Sequence, residues 1–256
     1  MTLTETLAAL AAASSSDTHP LPDGWMQGRT LYGGAGALLA YTVARREMPD
    51  LPPLRAAQVC FTAPVDGDFT CTAEPLREGR NVTQVQTSLA TGGREAARGT
   101  WWFGASHDAN AVHAAERLTI ERGPEDSDPL TDSSHVPDFV SRFDIRKGFG
   151  TSGRIAVRRW VRAKDRAALD TAGELVLLGD ALPPGSMKAM QRPGPLSSMN
   201  WAFNILEPEP QTEDGWWLIE TASIHAGDGY SSERLSLWNS DGKLAMTGLQ
   251  SVAIFG

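Results

Sequence analysis

The sequence predicts an α+β chain of two similar units, each a helix followed by four antiparallel strands. The order of helix and then strands occurs twice along the 256 residues, and a polar stretch separates the two runs. The punctuation recurs as well. Gly79 and Gly229 each precede a strand-like run, and in both halves a hairpin turn follows at the same distance, at Gly92 and Gly242. A repeat at this scale reads as one supersecondary unit used twice. A helix with an apolar face buries it in the sheet that wraps it, and two such sheets joined edge to edge each lose an exposed edge.

In chain order, Thr4 to Ala13 reads as a helix with Thr4 as its cap, and Gly24 to Leu31 as a strand. Gly33 to Glu47 reads as the first unit's helix. It opens on glycines, is rich in Ala and Leu, and ends on Arg45-Arg46, where cations suit the negative end of the helix dipole; Pro49 stops it. Strands are expected near Leu54–Thr62, Phe69–Leu76, Val82–Ala90 and Glu95–Phe103, with Gly79, Gly92 and Gly93 marking turns. Residues 106–137 carry Glu125-Asp126-Ser127-Asp128-Pro129 and Asp132-Ser133-Ser134, the composition of a linker or surface loop. The expected units are therefore 1–105 and 138–256. In the second, Phe143–Ile145 and Ile155–Val161 look extended. Glu174–Leu182 looks like a short buried helix stopped by Pro183-Pro184-Gly185. Strands follow near Leu196–Leu206, Trp216–His225, Ser232–Trp238 and Leu244–Phe255.

Bulk properties exclude several function classes. The chain is 41% hydrophobic and 21% charged with a net charge of −8, ordinary for a globular protein. No block of Lys or Arg forms a stripe, so a nucleic-acid partner is not expected. An anionic ligand would need a local basic patch. No apolar run approaches the ~18 residues of a membrane span. The N-terminal apolar stretch lacks the early Lys or Arg of a signal peptide. Cys60 and Cys71 are too few for a disulfide framework and read as small buried hydrophobes. Together these point to a cytoplasmic location. His19, His107, His113, His135 and His225 show no ligand spacing, so neither a metal nor a cofactor is expected. Gly148-Phe149-Gly150-Thr151-Ser152-Gly153 matches a dinucleotide fingerprint letter for letter. That motif requires a helix after it, and the run that follows it here, from Ile155, reads as a strand.

Three polar residues stand out. Leu244, Met246, Gly248, Gln250, Val252 and Ile254 share one face of a strand, and Gln250 is its one polar side chain. A buried amide needs partners, either backbone groups or a water and a substrate carbonyl. Asp180 is the lone ionisable residue between Glu174 and Lys188. On a helical wheel it points away from Leu175, Leu178 and Leu182, which fits a carboxylate at a cleft or a solvated residue near a helix end. Strict alternation puts Met199, Trp201, Phe203 and Ile205 on the apolar face of their strand and Ser198 on the other, with no nucleophile elbow around it. The N-terminus of the first helix, with Gly33 and Gly34, offers bare N–H groups to an oxyanion. Tight helix packing explains the same glycines.

Leu31-Tyr32-Gly33-Gly34, Phe61-Thr62-Ala63-Pro64-Val65-Asp66-Gly67-Asp68 and Leu76-Arg77-Glu78-Gly79-Arg80-Asn81 closely resemble the N-terminal half of the bacterial acyl-CoA thioesterase II family. Asp180, the run Leu196-Ser197-Ser198-Met199-Asn200-Trp201 and Thr247-Gly248-Leu249-Gln250 resemble the stretches carrying that family's Asp, Thr or Ser, and Gln. The resemblance spans most of the chain from about Trp25. It implies two fused hotdog domains that hydrolyse an acyl-CoA thioester without a cofactor, with catalytic Asp180, Ser198 and Gln250. It also implies a homo-oligomer, a dimer of double hotdogs. The CoA end would meet basic side chains, for which Arg77, Arg80, Lys188 and Arg192 are the candidates. The sequence departs from the family at Asn200, where an acid is common, and at Trp201, where a His is common. By the repeat, the counterpart of Gln250 is Thr100 or Trp101, so one active site per chain is expected. A hotdog hydratase or dehydratase would carry a His in or near a helix, and none falls there. A non-catalytic acyl-ligand binding protein of the same fold is the other reading.

Overall fold

The computed structural model describes residues 1–130 and 136–255; Asp132, Ser133, Ser134 and His135 lie outside them. The first helix, α1, runs Leu3–Ala12, with Thr2 rather than Thr4 as its cap. Thr2 accepts from the Glu5 amide while the Glu5 carboxylate accepts from the Thr2 amide, a reciprocal capping box. The single strand expected over 24–31 is instead a small hairpin, β1 Met26–Gln27 and β2 Thr30–Leu31, turned by Gly28 at φ 65°. Helix α2 spans Gly33–Glu47 as the composition predicts, and ten of its residues between Gly34 and Ala44 are buried. Helices buried nearly all round are core helices. Here α1 covers one side of α2 and the sheet the other.

Four strands follow: β3 Leu54–Phe61, β4 Phe69–Glu78, β5 Val82–Thr91 and β6 Arg94–Gly104. The second unit begins with β7 Phe143–Lys147 and β8 Ala156–Ala163. It continues with α3 Thr171–Leu178 and then β9 Leu196–Ile205, β10 Trp217–Gly227, β11 Tyr230–Trp238 and β12 Leu244–Ile254. All ten long strands form one antiparallel sheet in the order β4-β5-β6-β3-β9-β12-β11-β10-β8-β7. The order β9-β12-β11-β10 mirrors β3-β6-β5-β4, so the halves meet through equivalent strands, with Val59 opposite Trp201. This is the double hotdog. The repeated glycines sit where the pattern needs them: Gly92 (φ 56°) and Gly242 (φ 75°) take left-handed turn positions that side chains disfavour.

Segment 118–130, expected to be linker, is fastened to the second unit. Leu118 and Ile120 pack against Trp160, Trp216 and Leu218 on the outer sheet face. The Leu118 amide donates to Gly242 O, and Trp160 Nε1 donates to Arg122 O. The fingerprint-like run 148–153 joins β7 to β8, with no helix after it. It wraps a buried ion pair: Arg158 Nε donates to Glu220 Oε2 at 2.9 Å, the Ser152 amide donates to the same oxygen, and Arg158 also donates to Phe149 O.

Both members of that pair are about nine-tenths withdrawn from water or more, at 4% and 5% side-chain exposure. Removing one partner strands the other charge. Arg158→Met is expected to cost about 3–5 kcal/mol, and adding Glu220→Leu to restore most of it. Urea unfolding of the three proteins measures both. A double variant no more stable than the single would show that the pair does not act as a unit.

Candidate active site

The site forms where α3 ends and α2 begins, against the joined sheet. Tyr32, the residue before α2, cannot cap it with its side chain. Its hydroxyl instead crosses to α3 and donates to Leu177 O at 2.6 Å, and its ring stacks on Phe139 with centroids 4.1 Å apart. This bond pins the last turn of α3 beside the first turn of α2. Glycine makes the approach possible. A Cβ on Gly34 would overlap Leu177 O and the Tyr32 hydroxyl, and one on Gly179 would overlap the Trp201 ring.

Asp180 does not lie in the helix, as the sequence reading had it. Helix α3 ends at Leu178, and Asp180 follows in the turn. There its carboxyl points toward Gln250 and α2, in a residue that is half-buried overall. Gln250 Nε2 donates to Asp180 Oδ1 at 2.8 Å and to Ser198 Oγ at 2.9 Å, so one amide group ties the three together. Asp180 Oδ2 faces α2: the position of a Cβ on Gly33 lies 2.5 Å from it, and Phe61 closes the same space from β3.

Gln250 is 4% exposed, on the inward face that alternation predicts. Ser198 corrects the alternation. In the β9–β12 register Asn200 faces Ser251 but Ser198 faces Val252, which leaves Met199 as an extra residue. That is a β-bulge, and it reverses the side-chain phase beyond it. Ser198 therefore turns inward with Trp201, and Met199, assigned to the apolar face by strict alternation, is 37% exposed.

Burial raises the Asp180 pKa from the usual 3.8 to about 6, against the opposing pull of the Gln250 hydrogen bond and of the Gly34 amide. Gly33 and Gly34 thus adjoin the trio, and the Gly34 N–H serves the carboxylate. The four basic residues are not gathered there. Arg77 is on β4 and Arg80 in the turn after it, at the outer edge of the sheet, four strands from β9, or roughly 19 Å at ~4.8 Å per strand. Lys188 donates to Ala156 O, and Arg192 lies in the segment leading into β9. Trp101, the inward counterpart of Gln250 in the first unit, donates its Nε1 to Thr87 Oγ1 at 2.8 Å, and no carboxylate joins it; Thr100 is half-buried. In the sequence Tyr32 is read only as part of a motif, with no role of its own, and Gly179 is not read at all. The available signal was a tyrosine in the capping position, where helix rules favour Ser, Thr, Asp or Asn.

Comparison with known proteins agrees with this architecture. Residues 21–104 match the acyl-CoA thioesterase N-terminal domain and residues 121–254 the acyl-CoA thioesterase C-terminal domain. The chain belongs to the acyl-CoA thioesterase family. Among curated protein sequences none matches it. Solved structures share the fold. A hot dog protein of unknown function from Alicyclobacillus acidocaldarius superposes with a TM-score of 0.84 at 20% identity, covering 98% of each chain. A protein proposed to be a thioesterase II, from Thermobifida fusca YX, gives 0.81 at 20% identity over 95% of this chain and 94% of its own. An acyl-CoA thioesterase II, TesB2, from Mycobacterium marinum gives 0.75 at 16% over 98% and 97%. Among the described residues no helix is long and apolar enough to cross a membrane.

The raised pKa carries a stability consequence. Below about pH 3.8 both the folded and unfolded chains hold the Asp180 proton, and the group is neutral to stability. As pH rises toward 6 the unfolded chain releases it first, and folding loses stability. Above that the cost reaches ~3 kcal/mol, two units at 1.36 kcal/mol each. Asp180→Asn is therefore expected to be more stable than wild type at neutral pH, by up to that amount, and equal to it near pH 3.5. Urea unfolding across this range checks the sign. A variant less stable at neutral pH would mean that the carboxylate is not held against its solvation.

Proposed function

We propose that the chain hydrolyses an acyl-CoA thioester to a free acid and CoA, with Asp180 as the base that activates water. The observation that carries this is the hydrogen bonding of one amide. Both hydrogens of Gln250 Nε2 are committed, to Asp180 Oδ1 and Ser198 Oγ. That leaves Asp180 Oδ2 without a side-chain donor and able to accept from a water, and leaves the Ser198 hydroxyl proton free to donate. A base with a pKa of about 6 is ionised at neutral pH yet basic enough to take a proton in the transition state.

In this reaction the water oxygen attacks the thioester carbon and its proton passes to Asp180. The carbonyl oxygen gathers negative charge against the Gly33 amide, at the positive end of α2, and the Ser198 hydroxyl. The C–S bond then breaks and the proton goes on to the CoA sulfur. Ser198 is not the nucleophile in this scheme. Its oxygen accepts from an amide, which cannot remove its proton, and a serine needs a base to be activated. The residues that depart from the family pattern, Asn200 and Trp201, leave these three groups intact.

The test is turnover of an acyl-CoA panel with a thiol-trapping reagent. Asp180→Asn is expected to lower kcat by about 10²–10⁴, with KM changed much less, since the lost interaction acts in the transition state. Wild-type kcat should fall on the acid side with an apparent pKa near 6, and the variant's residual rate should lose that limb. Gln250→Ala should also lower kcat, and its loss should not add to that of Asp180→Asn if both hold one water. Thr100→Ala, in the first unit, should leave turnover nearly intact. An Asp180→Asn variant keeping more than roughly a third of kcat would sink the base assignment. A wild type that binds acyl-CoA stoichiometrically and hydrolyses none would make the chain a binding protein.

A further inference from the structure

We infer that Trp201 sets the acyl length at this site and restricts it to short chains, an inference that rests on acyl-CoA being the ligand. The surroundings of the trio give a substrate a direction. Toward the Ser198 end of β9 the inner face is less covered: Phe61 and Ser198 are half-buried there. In the other direction along the same inner face everything is buried: Val59, Trp201 and Gln250 on one rung, then Ala57 and Phe203 on the next. The phosphates and adenine of CoA are costly to desolvate and must stay at the less covered end. With the carbonyl at the trio, the acyl tail points inward along β9.

The first side chain it meets there is the Trp201 indole. Trp201 is fully buried and is the cross-strand partner of Gln250. Its ring presses on Gly179, next to Asp180, where a Cβ would overlap it and would also crowd Met246. Behind it stands a continuous column of aromatic rings. Trp201 to Phe203 is 4.5 Å between centroids, Phe203 to Trp101 is 6.5 Å, and Trp101 to Tyr41 is 5.8 Å. The column runs from the trio into the first unit and occupies the interior a long tail would need. Protein interiors are close-packed and yield little to an added chain.

The experiment compares butyryl-, octanoyl- and palmitoyl-CoA as substrates, and their non-hydrolysable thioethers as ligands, for wild type, Trp201→Val and Trp201→Phe. Wild type is expected to favour butyryl over palmitoyl by at least about tenfold in kcat/KM, with thioether affinities in the same order. Trp201→Val should bring octanoyl up to or above butyryl, and Trp201→Phe should keep the wild-type order. Wild-type palmitoyl turnover or binding equal to butyryl overturns the inference whether or not the Val variant folds. So does a folded Val variant with an unchanged length profile. If nothing is hydrolysed but the thioethers bind in the expected length order, the hydrolytic reading fails and the length gauge stands.

Discussion

The amide of Gln250 holds the site together, because it joins groups from three separate elements with a single planar group. Asp180 comes from the turn after α3, Ser198 from the bulged start of β9, and Gln250 from the middle of β12. An amide is suited to the task. It donates twice from one nitrogen, carries no charge of its own, and cannot take the carboxylate's proton. A lysine there would pair with Asp180 and drive its pKa down, which would weaken it as a base. A hydrophobe would leave the buried carboxyl without a partner, at a desolvation cost the fold would escape by protonating it. Gln250 and the Gly34 amide stabilise the charged form enough for the group to ionise near neutrality, and burial keeps it from becoming an ordinary acid.

The arrangement draws on both units. The first supplies the glycine start of α2 and Tyr32; the second supplies the trio. Their relative position is fixed by the β3–β9 ladder on one side and by the Tyr32–Leu177 bond on the other. The same two-fold relation generates a second, equivalent location in the first unit, and among the described residues there the trio does not recur. Trp101 donates to Thr87, and the Tyr41 hydroxyl donates to Asp170, which caps α3. Trp101, Thr87 and Tyr41 are buried and satisfied internally, while Asp170 is exposed.

Much of this was legible from residue order. The helix Gly33–Glu47 and the eight strands of the repeat follow from periodicity and from glycines in turns, because each is determined locally. Gln250 was legible for the same reason: a lone polar residue on an apolar strand face must be paired. The misreadings arose where a local rule is overridden from outside the segment. Ser198 was assigned to the wrong face because a one-residue bulge at Met199 is set by pairing with β12, not by the sequence of β9. Asp180 was assigned to a helix because Leu175–Leu178 continues smoothly into it, whereas Gly179 and the contact with Trp201 end the helix one turn sooner. The four basic residues proposed for CoA are untouched by this: they lie on separate elements, Arg77 and Arg80 by β4, Lys188 after α3 and Arg192 before β9.

The same constraint links the site's chemistry to its stability. Asp180 sits where solvation is lost, and the structure accepts that cost only in the few residues around it. Gly33, Gly34 and Gly179 give up side chains so that backbone and carboxylate can approach, while Tyr32, Phe61 and Trp201 fill the space around them with rigid rings. Rigid neighbours matter here because a mobile wall would admit water, resolvate the carboxylate and return its pKa toward that of a free acid. The aromatic column behind Trp201 therefore acts on the site even where it touches none of the three polar groups. By filling the interior, it maintains the low-polarity surroundings that hold the Asp180 pKa at about 6.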